Sequence, residues 1–327
     1  MTINGVILDK HSFDQEDVDL SALAKSNIFW TEHGSTQPHE TIARIQNAEI
    51  LVTNKVRLDG EAIAATEKLR LVLIAATGTD NVDLEACKKR GIVVCNATGY
   101  ATPSVAQHVF TLILNLTTSL VRYHQLVRDD HWQKSDVFCL IDYPIKELAG
   151  KTMGIIGLGV LGKKVADIAT AFEMNVLTWE RPNSAPPADP SGKGIPRIPL
   201  DDLLKSSDVL SIHCPLTTQT HSLISNRELR LMKKSAFLIN TARGAIVDSD
   251  ALIHALKTGE IAGAGVDVLH REPPTNDHPL IANRLPNLIV TPHNAWASIE
   301  SRQRLVDQIA VTLDAWIDGK PRNVVNS

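Results

Sequence analysis

Arg243, Glu272 and His293 each stand shortly beyond an apolar run that reads as a strand: 238–242, 265–269 and 288–292. A guanidinium, a carboxylate and an imidazole at such positions are the groups that hydride transfer to a 2-keto acid requires. Arginine offers a planar, permanently charged fork that grips a carboxylate with two hydrogen bonds and polarises the carbonyl beside it. Histidine gives and takes a proton near neutral pH. A glutamate beside it fixes the ring tautomer and favours the protonated form. Each residue also has a plainer use: Arg243-Gly244 as a solvated turn, Glu272 as a loop charge before Pro273-Pro274, His293 as a helix cap. His213 ends a strand just as His293 does, so spacing alone leaves the choice of histidine open.

Such chemistry needs a dinucleotide site, and residues 155–162, Ile-Ile-Gly-Leu-Gly-Val-Leu-Gly, have the GxGxxG spacing. Three glycines in six residues arise in many turns, so context decides. The apolar run from Met153 precedes the loop, and Leu161, Val165, Ile168, Ala169 and Phe172 form a helical stripe after it. Gly157 permits the tight turn, Gly159 lets the backbone approach a pyrophosphate, and Gly162 lets helix and strand pack closely. The helix N-terminus offers N–H groups to the phosphates. A second run, Val176 to Trp179, ends at Glu180, 23 residues beyond Gly157, near the roughly 20-residue offset expected for a ribose-binding acid. Glu180 favours NAD. Arg181, next to it, could pair with a 2′-phosphate and leaves NADP open.

Composition excludes several classes. A chain of 327 residues, 43% hydrophobic and 21% charged, has material for well-filled cores in one large or two medium domains. Net charge is −4 without a block of like charges, so no nucleic-acid footprint or polybasic membrane patch is expected. No apolar segment reads as a membrane span or a secretory signal. Cys87, Cys95, Cys139 and Cys214 form no CxxC pair and no Cys/His cluster. They read as buried free thiols of a cytoplasmic protein, with no metal site.

The elements that must position these groups alternate. Strand-like runs at 153–157, 175–179, 208–213, 236–240, 263–268 and 288–291 are separated for the most part by helical patterns, such as 225–232 and 248–256. That predicts a Rossmann-type doubly wound α/β domain with a parallel sheet, over 101–294, binding its ligand at the strand carboxyl ends. Residues 1–100 show a smaller alternation, with runs at 6–8, 27–30, 50–53, 71–74 and 92–94, and no glycine fingerprint. Pro103 opens an amphipathic helix with Val105, Val109, Leu112, Ile113, Leu116 and Leu120 on one face. A last helix over 302–316 returns to the first domain, making a discontinuous flavodoxin-like substrate domain of 1–100 and 295–327. Residues 181–199, rich in Pro, Ser and Gly, read as a loop.

The motifs GIIGLGVLG, Asn240-Thr-Ala-Arg-Gly244, Gly265-Val-Asp-Val-Leu-His-Arg-Glu-Pro-Pro274 and Thr291-Pro-His-Asn-Ala-Trp-Ala-Ser298 resemble those of the D-isomer-specific 2-hydroxyacid dehydrogenases, in order and over nearly the whole chain. The resemblance implies Arg243 as the substrate-binding and polarising arginine, His293 as acid/base and Glu272 as its support. Thr77 and Gly78 lie in a segment, 76–83, similar to the family's substrate loop, where backbone N–H groups hold the carboxylate. Cofactor contacts are implied for Val160, Leu161, Glu180, Cys214, Pro215, Thr220, Thr241, Ala242, Arg243 and Asp267, with His213 lining that side. The stretches 132–139 and 147–152 and Trp296 are most similar to members that reduce hydroxypyruvate to D-glycerate; glyoxylate reduction, a lactate-type 2-keto acid reductase and a non-enzymatic NAD-sensing protein like the related corepressors stay open. Trp296 could close over a small substrate or pack in a core. Gln107 departs from the glutamate many members carry. Kinship implies a homodimer through Val121 to Pro144, where Tyr123, Trp132, Phe138 and Tyr143 mix with charges.

Overall fold

The computed structural model describes residues 2–181 and 194–327. Most of the loop expected over 181–199 lies outside the described residues. The chain folds as two compact units, Met1–Ala101 with Trp296–Ser327, and Thr102–Ala295.

In the first unit, β1 (Ile3–Ile7), β2 (Ile28–Glu32), β3 (Ile50–Thr53), β4 (Leu71–Ile74) and β5 (Val93–Asn96) form a parallel sheet in the order β2-β1-β3-β4-β5. This is the flavodoxin-like order. β3 and β4 are buried at every position, as strands covered on both faces must be. Alternate residues serve opposite faces. Leu51, Val72 and Val94 pack with Ile45, Leu58 and Ile63, whereas Ile50, Leu71 and Leu73 pack with Phe13, Leu305 and Leu313. The helix Ile299–Ile317 therefore belongs to this unit, capped by Ser298 Oγ accepting from Ser301 N–H. Trp296 packs here edge-to-face on Tyr100, with ring centroids 6.3 Å apart. Its contacts are those of a packing tryptophan.

In the second unit, β6 (Thr152–Ile156), β7 (Asn175–Trp179), β8 (Arg197–Ile198), β9 (Val209–Ile212), β10 (Phe237–Asn240), β11 (Gly263–Val266) and β12 (Leu288–Val290) run parallel in the order β12-β11-β10-β9-β6-β7-β8. The sheet is doubly wound, and its strand order reverses between β6 and β9. The helix Thr102–Thr118 buries Val105, Val109, Leu112 and Ile113 as its apolar stripe requires, but it ends earlier than the stripe suggests. Ser119 takes a left-handed φ of 54°, which stops the hydrogen-bond ladder. Leu120 then leaves the stripe, 58% exposed, at the start of a second helix, Leu120–Arg128, bent 60° from the first. No single helix among the described residues is long and apolar enough to cross a membrane. All four cysteines are free; Cys87 and Cys95 are buried as expected, but Cys139 and Cys214 are only partly covered because they lie in loops.

Candidate active site

β10, β11 and β12 pair in parallel register, Asn240 beside Val266 and Val266 beside Val290, so the loops that follow them leave one edge of the sheet. Those loops carry Arg243, Glu272 and His293. Asn240 shapes the first loop. Its Oδ1 accepts from Ala242 N–H at 3.0 Å, and its Nδ2 donates to the Arg243 carbonyl at 3.0 Å. Arg243 is half-buried, with Nη1 donating to the Ala242 carbonyl at 2.8 Å.

Glu272 faces two ways. Its Oε1 accepts from Leu269 N–H at 2.7 Å, and its Oε2 lies 2.5 Å from His293 Nδ1. An ionised carboxylate can only accept, so Nδ1 carries the hydrogen and Nε2 is the nitrogen available to exchange a proton. Both side chains keep access to solvent, at 33% and 29% exposure. His293 is itself held with a left-handed φ of 52°. Asp267, 1% exposed, accepts through Oδ1 from Thr291 Oγ1 and Asn294 N–H and through Oδ2 from Ala295 N–H. In this structure its carboxylate therefore organises the His293 loop.

The glycine loop lies at the reversal point. A Cβ on Gly157, whose φ is 102°, would meet Cys214 N at 2.6 Å, and one on Gly162 would meet the Gly157 carbonyl oxygen at 2.1 Å. Nothing lies within 4 Å of the Cβ position of Gly159. Gly159 also caps the helix Val160–Ala171, on which Val160 is 74% exposed and Leu161 half-buried. Two buried polar atoms on neighbouring strand ends have no protein partner: His213 Nδ1, after β9, and Thr241 Oγ1, after β10. A close-approach glycine, a helix N-terminus and two orphaned polar atoms on one sheet edge fit a dinucleotide. Glu180 is exposed at the end of β7, and Arg181 Nη2 donates to Gln219 Oε1 at 2.8 Å. Cys214 and Pro215 line the reversal point, and Ala242 is 8% exposed. Thr220 is 2% exposed, and its hydroxyl is spent on the Pro215 carbonyl at 2.7 Å, holding the 215–220 turn.

His213 differs from His293 in charge behaviour. Its Nε2 pairs with Ser211 Oγ at 2.8 Å, and burial of the ring pushes its pKa down to about 4. It stays neutral near pH 7. In the first unit, Thr77 follows β4 with Oγ1 donating to the Ala97 carbonyl at 2.9 Å, and Asn96 Nδ2 donating to the Thr77 carbonyl at 2.8 Å sets the turn into Gly78. The departure at Gln107 falls on an exposed helix position.

The family model described as the D-isomer specific 2-hydroxyacid dehydrogenase NAD binding domain matches residues 110–295. The chain is also 43% identical to a glycerate dehydrogenase of Methylorubrum extorquens over 328 aligned residues, covering all of both chains. It belongs to the D-isomer-specific 2-hydroxyacid dehydrogenase family. A hydroxypyruvate reductase of Blautia hydrogenotrophica is 36% identical to this dehydrogenase, over 98% of this chain and 99% of that one. Among solved structures, an NADPH-dependent glyoxylate/hydroxypyruvate reductase from Sinorhizobium meliloti, in complex with NADP and malonate, superposes with a TM-score of 0.83 at 27% identity, covering 99% and 97% of the two chains. The second unit of this dehydrogenase contains the family's NAD-binding domain. Sequence reasoning missed the parts played by Ser104 and His108, which contact Ala295 and Thr291 of the His293 loop, and by Thr291, which donates to Asp267. The one available signal was a pair of polar residues, Ser104 and His108, four apart beside an apolar helical stripe.

Proposed function

We propose that this chain reduces hydroxypyruvate to D-glycerate and glyoxylate to glycolate, and catalyses the reverse reactions, with a nicotinamide cofactor. The hydrogen bond between His293 Nδ1 and Glu272 Oε2, at 2.5 Å on the sheet edge that also carries the glycine loop, supports this best. The names of the relatives support the substrates. Arg243 holds the substrate carboxylate and draws electron density from the adjacent ketone. Glu272 keeps Nδ1–H engaged, so His293 delivers a proton from Nε2 to the ketone oxygen as C2 is reduced, and recovers it in oxidation. Thr77 and Gly78 are the substrate contacts of the first unit, which is the substrate-binding domain. Gly157, Gly159, Gly162 and the residues around Thr241 would hold the cofactor, which when bound would supply or accept the hydride. His213, its ring desolvated and neutral near pH 7, is not the acid.

Glu180 supports NAD as the preferred cofactor, with Arg181 allowing NADP. The exposed apolar side chains Val121, Phe138 and Ile141 support a homodimer built on 121–144. Buried free thiols at Cys87 and Cys95 support a cytoplasmic location.

The test is cofactor oxidation by the wild type and by His293→Ala with hydroxypyruvate, glyoxylate and pyruvate. The wild type should turn over the first two fastest. His293→Ala should lose roughly 10²–10⁴-fold in kcat while NADH binding persists. Fastest turnover on pyruvate would make it a lactate-type enzyme; NADH binding without turnover on any substrate would make it a nucleotide-sensing protein. Near-normal turnover of His293→Ala would remove the histidine assignment.

A further inference from the structure

Three successive backbone N–H groups, those of His293, Asn294 and Ala295, all donate to one residue. His293 N–H donates to the Asp267 carbonyl at 2.8 Å, Asn294 N–H to Asp267 Oδ1 at 3.1 Å and Ala295 N–H to Asp267 Oδ2 at 3.0 Å. Between these contacts His293 takes a left-handed backbone conformation that a residue with a Cβ adopts only when its surroundings enforce it. The Asp267 main chain thus holds His293 N–H, and its carboxylate, through the Asn294 and Ala295 amides, holds the segment that follows the imidazole.

That carboxylate is in turn oriented from outside the loop. Thr291 Oγ1 lies 2.5 Å from Asp267 Oδ1 and 3.0 Å from His108 Nε2. Asp267 can only accept, so the threonine hydroxyl donates to it and has its lone pairs left for His108 Nε2–H. His108 Nε2 lies 3.6 Å from the carboxylate, too far for a direct hydrogen bond. The hydroxyl is thus the bridge. His108 and Ser104 are one helical turn apart on Thr102–Thr118, and Ser104 Oγ donates to the Ala295 carbonyl at 2.7 Å. One face of this helix fastens both ends of the 291–295 segment.

We infer that Thr291 is a positioning residue for His293: its hydroxyl, flanked by His108, locks the Asp267 carboxylate so that the Asn294 and Ala295 amides fix the loop that holds the imidazole against Glu272. The inference rests on the role of His293 proposed above. Thr291→Val keeps the volume and removes the donor, whereas Thr291→Ser keeps the donor. In Thr291→Val the reductive kcat should fall roughly ten- to hundredfold, the range an ångström-scale misplacement of a reacting group produces. The NADH dissociation constant, read by cofactor fluorescence, should stay within about twofold, since the loss is of placement and not of uniform binding. A crystal structure of the variant should show His293 Nδ1 and Glu272 Oε2 parted beyond hydrogen-bond reach. Thr291→Ser should restore both the rate and the pair. If Thr291→Val does not fold, His108→Leu carries the same comparison, with His108→Gln as its donor-keeping control.

An intact His293–Glu272 pair and near-wild-type kcat in Thr291→Val would overturn the inference. So would a serine variant as impaired as the valine one, because volume and not the hydroxyl would then matter. Should the pair part in Thr291→Val while His293→Ala keeps its turnover, positioning by Thr291 would stand and the catalytic reading of His293 would fall.

Discussion

Gly244 is packed so closely on Leu269 that a Cβ added to it would sit 2.0 Å from the Leu269 carbonyl carbon. The obstacle is backbone, which cannot swing aside as a flexible side chain can. Leu269 N–H is also the donor to Glu272 Oε1. The turn carrying Arg243 and the loop carrying Glu272 are therefore mechanically one piece. Gly244→Ala is expected to destabilise the protein by about 1–3 kcal/mol, the usual range for overpacking. It should lower kcat by more than its loss of folded protein explains. Thermal unfolding beside kinetics per folded molecule reads both effects; full activity at wild-type stability would mean that the two loops move independently.

His213 makes stability depend on pH. Its ring is held neutral by burial, with a pKa pushed down to about 4 from an ordinary 6.5. Between those values the unfolded chain binds a proton that the folded chain refuses, so ν_U exceeds ν_N and stability rises with pH. The contribution is complete above pH 6.5 and is lost as pH falls toward 4. At about 1.4 kcal/mol per pKa unit it amounts to on the order of 3 kcal/mol. His213→Asn removes the titration, so its stability relative to wild type should improve as pH drops through that window. Unfolding midpoints of the two proteins from pH 7 to pH 4 measure it, and a pH-independent difference would contradict the enclosed ring.

Strands were legible where burial on both faces left a continuous apolar run. Ile50–Thr53 and Leu71–Ile74, buried throughout, begin and end where the pattern does. The two residues of β8 carried no such signal, because a strand that short is made by its neighbour β7. The helix end at Thr118 was hidden because Leu120 continues the spacing and only the left-handed turn at Ser119 breaks it. Around the site, positions after strands offered Arg243, Glu272 and both His213 and His293, because parallel strands deliver their successors to one edge, and the family resemblance chose His293. The work of Asp267 was not legible: its partners Asn294 and Ala295 use backbone N–H groups, which no residue type announces. Thr291 and His108 lie 183 residues apart in sequence, and only the packing of a helix against the sheet joins them.

The segment after the bent helix pair has an apolar surface braced from within. Phe138 is 89% exposed and Ile141 82%, while Trp132 Nε1 donates to the Phe138 carbonyl at 2.9 Å and Tyr123 Oη donates to the Tyr143 carbonyl at 2.7 Å. A surface this apolar and this well supported suits a second copy of the chain. Sedimentation of the wild type should give twice the 35.7 kDa chain mass. The double variant Phe138→Ser, Ile141→Ser should sediment as a monomer. A monomeric wild type would rule the surface out as a dimer contact.

Cofactor choice should turn on Arg181. Glu180 places a carboxylate at the end of β7, where it suits ribose hydroxyls and repels a 2′-phosphate. Arg181, tied to Gln219 at 2.8 Å, offers the opposite charge one residue on. A charge-assisted hydrogen bond contributes about 1.5–3 kcal/mol, and every 1.4 kcal/mol or so is tenfold in affinity. Arg181→Ala should therefore raise the NADPH dissociation constant roughly ten- to hundredfold and leave that of NADH within about twofold. Fluorescence titration with each reduced cofactor measures the ratio. Because the guanidinium is exposed, the NADPH penalty should also shrink as salt is added, which separates a charge contact from a change in loop shape. Equal weakening of both cofactors would show that Arg181 shapes the ribose end of the site without discriminating between them.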